Sequence, residues 1–157
     1  MVPRMPHLLD EIDRNILKAL QIDAAQSMDE LSEKVNLSRN ACWRRMRQME
    51  EAGVIKGRVA LVDPEAIGLD LSVLVLIKAG SHSPDWLAKF QNAVATMSEI
   101  IGAYRTSGDL DYVLRVRVSD MKDYDRFYQQ LIKRVPMGDV SASFVMDEIK
   151  DTTALPL

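Results

Sequence analysis

The sequence predicts an α+β protein with two domains, one helical and one in which strands and helices alternate. Apolar residues recur at helical spacing through about the first fifty residues, and β-branched runs alternate with amphipathic stretches from about residue 71. A chain of 157 residues is long enough for two small domains. We therefore expect a first domain over 1–55, an extended linker over 56–70 and a second domain over 71–157.

Three short helices are predicted in the first domain. The first runs from about Asp10 to Ile22 because three apolar residues recur on one side of it, namely Ile12, Ile16 and Leu20. Ser27 and Glu30 form a capping box that begins the second helix. Ser38 is a favourable N-cap for the third, and Gly53 can end it in a left-handed conformation. The short turn between the last two helices is typical of a helix-turn-helix, here of winged-helix-like type.

The stretch GVIKGRVALVDPEAIG, residues 53–68, follows with extended, β-branched character. Glycine and proline interrupt it, so we interpret it as a strand and a linker.

Two similar units come next. Strands are predicted at Ser72–Ala79, Ile100–Thr106, Asp111–Val118 and Val140–Glu148. Ser83 and Pro84 begin a helix whose inward residues are expected to be Leu87, Phe90, Val94 and Met97. A second helix is expected to bury Tyr124, Phe127, Leu131 and Val135. The order βαββαβ is the ferredoxin-like arrangement, an antiparallel sheet with both helices on one face.

Both alternating sets of side chains are apolar in Val73–Ile77, although helices cover only one face of such a sheet. A second copy of the same sheet is the simplest cover for the other face. The pattern therefore predicts a homodimer formed through the second domain.

Composition excludes several classes of protein. The chain has 47% hydrophobic and 27% charged residues, no apolar run of membrane-spanning length and no signal-peptide pattern in MVPRMPHLLDEID, so we expect a soluble cytoplasmic protein without a membrane partner. One Cys and two isolated His, at positions 7 and 82, provide no metal-ligand spacing and no disulfide. Nucleotide-binding motifs and a nucleophile with a base are missing, so neither an enzyme nor a cofactor is expected.

Positive charge is concentrated in the third predicted helix. Four arginines lie within residues 39–47, although the formal net charge of the chain is -3. A helical wheel places Cys42, Met46 and Met49 on one face and Asn40, Arg44 and Arg47 on the opposite face, with Arg39 in the first turn. Cys42 is expected to be a small core residue, with a reactive thiol as the alternative.

This helix is the second of the helix-turn-helix, the element that enters the major groove in that motif. Arginine can read guanine and asparagine can read adenine, whereas serine and lysine mainly hold phosphates. The candidate DNA contacts are Ser38, Arg39, Asn40, Trp43, Arg44, Arg47, Lys56 and Arg58. The alternatives are a solvated face with ion pairs to Glu50 and Glu51 for the arginines, and partial core packing for Trp43.

Four stretches of the chain carry a family resemblance: LLDEIDRNILKALQIDAAQSMDELSEKVNLS, RRMRQMEEAGVIKG, TSGDLDYVLRV and VMDEIKDTT. With them the chain resembles, from about Leu8 to its end, the Lrp/AsnC (feast/famine) family of bacterial and archaeal transcription regulators. The resemblance implies a helix-turn-helix domain that binds double-stranded operator DNA and a ferredoxin-like domain that binds small effectors, usually amino acids. It also implies dimers that assemble to octamers, with effectors bound between dimers.

The resemblance places an effector site at Thr106, Ser107, Gly108, Asp109, Asp111 and Tyr112, with Met121, Ser143 and Phe144 nearby. Gly108 would let backbone N–H groups approach a carboxylate, and Asp109 or Asp111 could accept from an ammonium group. Alternatively, Ser107, Gly108 and Asp109 only make a hairpin turn, and both interpretations can hold.

The stretches ACWRRMRQMEEAGVIKG, VALVDPEAIG and DTTALP resemble most closely a proteobacterial branch whose described members respond to cysteine and control its breakdown. Effectors of the leucine or methionine type stay open, as does an architectural DNA-binding protein of the same fold with little ligand control.

Overall fold

The computed structural model describes residues 8–157, so His7 and most of the N-terminal stretch lie outside the described residues. The chain divides into two compact units. The first runs to Leu61 and includes Lys150–Leu157, and the second is Val62–Ile149. The sequence placed residues 150–157 with the second domain. In the structure they lie against the first unit, where Gln21 hydrogen-bonds the backbone of Leu155.

The first unit contains three helices, α1 (Glu11–Ile22), α2 (Met28–Lys34) and α3 (Arg39–Glu51). The starts of α2 and α3 follow from local chemistry that the sequence predicted. Ser27 and Glu30 form the reciprocal capping box of α2, and Ser38 caps α3 by accepting from the Ala41 N–H at 3.3 Å. Gly53 has a φ of 70°, which confirms the left-handed end of α3.

Residues 53–68, all of them described, form no strand. The expected strand is therefore wrong. The stretch holds instead a short 3₁₀ helix at Glu65–Ile67, and the backbone N–H groups of Val54 and Ile55 both bond to the Met49 carbonyl. β-Branched residues make a strand only when another strand completes the hydrogen-bond ladder, which a single chain does not supply here.

The second unit is a four-stranded antiparallel sheet in the order β2-β3-β1-β4, with two helices. The strands are β1 (Leu71–Ala79), β2 (Ile100–Arg105), β3 (Tyr112–Val118) and β4 (Met137–Phe144), and the helices are α4 (Pro84–Thr96) and α5 (Met121–Arg134). This confirms the α+β class and the ferredoxin-like order βαββαβ.

Two details of the second unit differ from the expectation. Strand β4 begins at Met137, and it ends at Phe144 rather than Glu148, because it pairs with β1 along Val73–Ala79. The buried face of α4 is formed by Trp86, Phe90 and Ala93, and the buried Met97 follows at its C-cap. Leu87 is 39% exposed and Val94 is only partly buried. Trp86 explains this rotation, because its ring stacks on Phe90 at 5.2 Å and its Nε1–H donates to the Pro136 carbonyl.

The two faces of β1 are both apolar, as the sequence indicated. Val73, Val75 and Ile77 are fully buried in the core with α4 and α5. Leu74 and Leu76 point to the other face and are partly buried beside their cross-strand neighbours, which include Arg115 and Val113. We call this second face the open face of the sheet.

Within residues 8–157, no helix is long and apolar enough to cross a membrane, and no cluster of three or more His, Cys, Asp or Glu could hold a metal ion.

Candidate DNA-binding surface and effector site

Helix α3 has a buried face and an exposed face. Cys42 and Met49 are fully buried and Met46 nearly so. This burial confirms Cys42 as the small core residue that the sequence predicted, and it also raises the pKa of the thiol. Trp43 is 55% exposed and lies beside the arginines.

The exposed face carries the predicted DNA contacts Arg39, Asn40, Arg44 and Arg47. Asn40 and Arg44 are four residues apart and therefore lie one above the other on the helix surface. Neither side chain makes a hydrogen bond or ion pair with any other described residue. Two polar groups able to read base edges are thus free for a ligand.

Three other arginines of the predicted DNA contacts, Arg39, Arg47 and Arg58, are already paired. Arg39 lies 3.3 Å from Asp29, and Arg47 lies 3.4 Å from Glu50 and 3.7 Å from Glu51, so the solvated ion-pair interpretation describes Arg47 in the isolated chain. Arg58 donates to Glu50 at 2.6 Å. These pairs are exposed and hence weak, so a phosphate could replace the carboxylate partners.

Arg45 has a different place from its neighbours. Its Nη1 donates to the Asp10 carboxylate at 2.7 Å and to the Asp13 carboxylate at 2.8 Å, and Asp13 is buried. Asp10 also caps α1 and Asp13 lies in its first turn, so one guanidinium fixes α3 to the start of α1. Sequence reasoning gave Arg45 no role because its partners lie more than 30 residues away. The Asp-x-x-Asp spacing at the helix start was the available signal.

This network predicts a pH dependence. The backbone hydrogen bond from Asp13, followed by Arg45, holds the pKa of the Asp10 carboxyl below its ordinary value. A depressed folded-state pKa stabilises the fold above the unfolded-state pKa of about 3.9, and this contribution is lost as pH falls through the folded-state pKa. We expect Asp10→Asn to lower the urea midpoint of unfolding at pH 6. The difference in midpoint between this variant and the wild type should become smaller towards pH 3. The control is Asp125→Asn on an exposed side of α5. An Asp10→Asn midpoint that differs from the wild type equally at both pH values would contradict the role of Asp10.

The predicted effector residues form two groups. The first is the hairpin between β2 and β3, where Gly108 has a φ of 123° and the Thr106 N–H bonds to the Asp111 carbonyl at 2.9 Å. Asp109 at its tip is exposed. Asp111 is engaged, since its carboxylate accepts from the Ala79 N–H at 2.8 Å and lies 3.8 Å from His82.

Tyr112 belongs to the core rather than to the exposed hairpin. It is 8% exposed and its ring lies 4.4 Å from that of Phe90. A small apolar cavity of about 340 Å³ between α4 and β2 reaches one side of this ring.

Met121, Ser143 and Phe144 form the second group, at the opposite end of the sheet. Phe144 pairs with Val73, whereas Tyr112 pairs with Ile77. Four residues along a strand span about 13 Å, so one chain does not bring the two groups around one small molecule. Met121 is 56% exposed, and Phe144 packs edge-on against Tyr124 at 5.2 Å.

Each of the two units matches a known protein-family model. Residues 9–56 match the family model described as winged helix-turn-helix DNA-binding, and residues 72–155 match the Lrp/AsnC ligand binding domain. The chain belongs to the Lrp/AsnC family. It is a DNA-binding transcriptional regulator of that family, as the sequence resemblance implied.

Lrp/AsnC relatives cover nearly the whole chain. The DNA-binding transcriptional activator DecR of Escherichia coli is 47% identical over 151 residues, 96% of this chain and 99% of that protein. The glutamate uptake regulatory protein of Zymomonas mobilis is 51% identical over 149 residues, 95% of this chain and 91% of that protein. A transcriptional regulator of Neisseria meningitidis, solved with L-methionine, superposes with a TM-score of 0.91 at 33% identity, covering 95% of this chain and 97% of that chain.

Proposed function

We propose that α3 reads operator DNA through Asn40 and Arg44, and that the second unit binds a small amino acid which changes DNA affinity or assembly. The proposal for the DNA contacts rests on one observation: Asn40 and Arg44 lie one turn apart on an exposed helix face, and neither has a hydrogen-bond or ion-pair partner within residues 8–157. In a helix-turn-helix, the second helix lies in the major groove with its N-terminal residues at the base edges. Asn40 is the second residue of α3 and Arg44 is the sixth.

The remaining candidates are assigned to phosphates. On binding DNA, the three arginines at positions 39, 47 and 58 exchange their carboxylate partners for phosphate oxygens. Lys56 extends the basic surface beyond the end of α3. The Ser38 hydroxyl accepts from the α3 backbone, which leaves its hydrogen available for a phosphate. Trp43 lies against the sugar-phosphate backbone, because an exposed indole offers both an apolar face and an N–H donor.

Assembly is proposed to use the open face of the sheet. Leu74, Leu76 and Val113 are partly buried there, and a second sheet stacked on them would remove their remaining apolar surface from water. A dimer with two α3 helices favours pseudo-palindromic half-sites about one helical turn apart. Octamers assembled from such dimers follow from the family resemblance.

The effector site is proposed to be completed by another copy of the chain, because the hairpin at Thr106–Asp111 and the group at Phe144 are separated within one protomer. The backbone around Gly108 would receive the effector carboxylate and Asp109 its ammonium group, while Met121 and Phe144 supply apolar surface. The L-methionine complex of the Neisseria relative supports an amino acid of this size. Cysteine, leucine and methionine are the types proposed, with amino-acid metabolism, including cysteine breakdown, as the process regulated and the cytoplasm as the location.

A thermal-stability screen with each of the twenty amino acids tests the effector proposal. A ligand at 100 times its Kd stabilises the folded state by about 2.7 kcal/mol, so at least one amino acid is expected to raise Tm by several degrees. Asp109→Asn should remove most of the rise in Tm, because a neutral amide cannot balance the charge of the ammonium group as the carboxylate does. Asp85→Asn in α4 should keep the rise in Tm. No shift with any amino acid would favour the architectural DNA-binding protein instead.

A further inference from the structure

Residues 152–157, the last part of the segment Lys150–Leu157, contact the first unit through one side-chain amide. Gln21 Nε2 donates to the Leu155 carbonyl at 3.1 Å, and the Leu155 N–H donates to Gln21 Oε1 at 2.6 Å. Both backbone groups of Leu155 are therefore satisfied by Gln21, at the end of α1. Leu157 adds an apolar contact, because it packs partly buried against the core of the helical unit.

The segment lies along an apolar groove that it does not fill. The groove has a volume of about 690 Å³ and is lined by Leu17 and Leu20 of α1, by residues 54–59 with Leu61, and by Leu155 and Leu157 of the segment itself. Apolar side chains beside it stay open to water, with Ile22 88% and Val59 82% exposed. Residues 152–157 contact the helical unit through one amide and one partly buried leucine, so this stretch can dissociate without unfolding the helices.

Two proposed phosphate contacts line the same groove. Lys56 and Arg58 belong to the stretch that begins at Val54, which is tied to the end of α3 by its hydrogen bond to the Met49 carbonyl. From Lys56 to Leu61 every residue is exposed, and Arg58 is paired with Glu50 of α3. The docked segment lines the same groove and is the second neighbour that can restrain this stretch.

We propose that residues 152–157 are a reversible latch of the DNA-binding unit. Docked in the groove through Gln21, the latch holds residues 54–61 against the helices and keeps Lys56 and Arg58 placed for DNA. When the latch is released, the stretch becomes mobile and DNA affinity falls. This inference rests on the proposed DNA contacts of Lys56 and Arg58.

Hydrogen–deuterium exchange on the full chain tests the docking without DNA. Gln21→Ala removes both hydrogen bonds to Leu155, and a chain ending at Asp151 removes the latch without deleting a charged side chain. Both are expected to raise exchange across residues 54–61. Gln130→Ala, the same change on the exposed side of α5, is expected to leave that exchange unchanged. A synthetic TTALPL peptide should restore slow exchange to the shortened chain, and a peptide of scrambled order should not.

Operator affinity tests the second half of the latch proposal. Gln21→Ala removes the two hydrogen bonds that hold Leu155, and the looser placement of residues 54–61 is expected to weaken DNA binding by about threefold to tenfold. Unchanged exchange in both variants would overturn the docking. Raised exchange with unchanged affinity would overturn the link to DNA while leaving the contacts of α3 standing. If the full chain itself discriminated no DNA sequence, the proposed function would fail, whatever the exchange showed.

Discussion

Arg44→Ala is expected to weaken binding to the specific operator by about 1 to 3 kcal/mol, or roughly 5- to 150-fold, at fixed salt. The physical reason is the loss of a bidentate hydrogen bond from the guanidinium to a guanine in the major groove. Arg44 makes no hydrogen bond or ion pair with residues 8–157, so its removal breaks none of those interactions and the loss reports on DNA binding. Competition binding against random DNA of equal length measures the effect.

Two further variants make the Arg44 result specific. Arg44→Lys keeps the charge but cannot form the bidentate hydrogen bond. Its affinity for random DNA should therefore lie closer to the wild-type value than its affinity for the operator does. Arg14→Ala removes an exposed arginine from α1 and should change operator binding little. If Arg44→Ala lost the same factor on operator and random DNA, Arg44 would be a phosphate contact and the base-reading assignment would be wrong.

Leu74→Glu is expected to convert the proposed dimer to monomers at micromolar concentration. Leu74 lies on the open face of the sheet, and a carboxylate there would be buried without a partner in the stacked sheets. We expect the dimer dissociation constant to rise by at least about 100-fold, or ~3 kcal/mol. Sedimentation equilibrium measures this change, and operator binding should weaken with it because two half-sites are no longer bound together.

The matched control for the dimer is Leu87→Glu. Leu87 is 39% exposed on α4, away from the open face, so the same substitution should leave the chain dimeric. A wild-type chain that sediments as a monomer, or a Leu74→Glu dimer as stable as the wild type, would contradict the proposed interface.

Most of the features that were predicted correctly depend on residues close together in the sequence. The capping box of Ser27 and Glu30, the cap at Ser38 and the left-handed Gly53 each depend on neighbours within a few residues, so their chemistry is visible in the chain. The buried face of α3 follows from helical periodicity in the same way, since Cys42, Met46 and Met49 recur at helical spacing.

Features decided by distant partners were missed. Strand β4 begins in a stretch with Gly138 and Asp139, which disfavour strands, and only its pairing with the end of β1 makes it extended. The bond between Leu155 and Gln21 spans 134 residues, and TTALPL contains no pattern that indicates docking. The candidate effector residues, which came from the family resemblance, are split between the two ends of the sheet, and strand register is what separates them.

Operator affinity measured with and without each of the twenty amino acids tests most directly the claim that this Lrp/AsnC chain couples an amino-acid site to DNA binding. At least one amino acid is expected to change operator affinity by about 5-fold or more, the typical size of a coupling between two sites. Asp109→Asn is expected to remove this change while keeping the affinity measured without amino acid. Operator affinity that stays the same with every amino acid, at concentrations up to the millimolar range, would contradict this coupling.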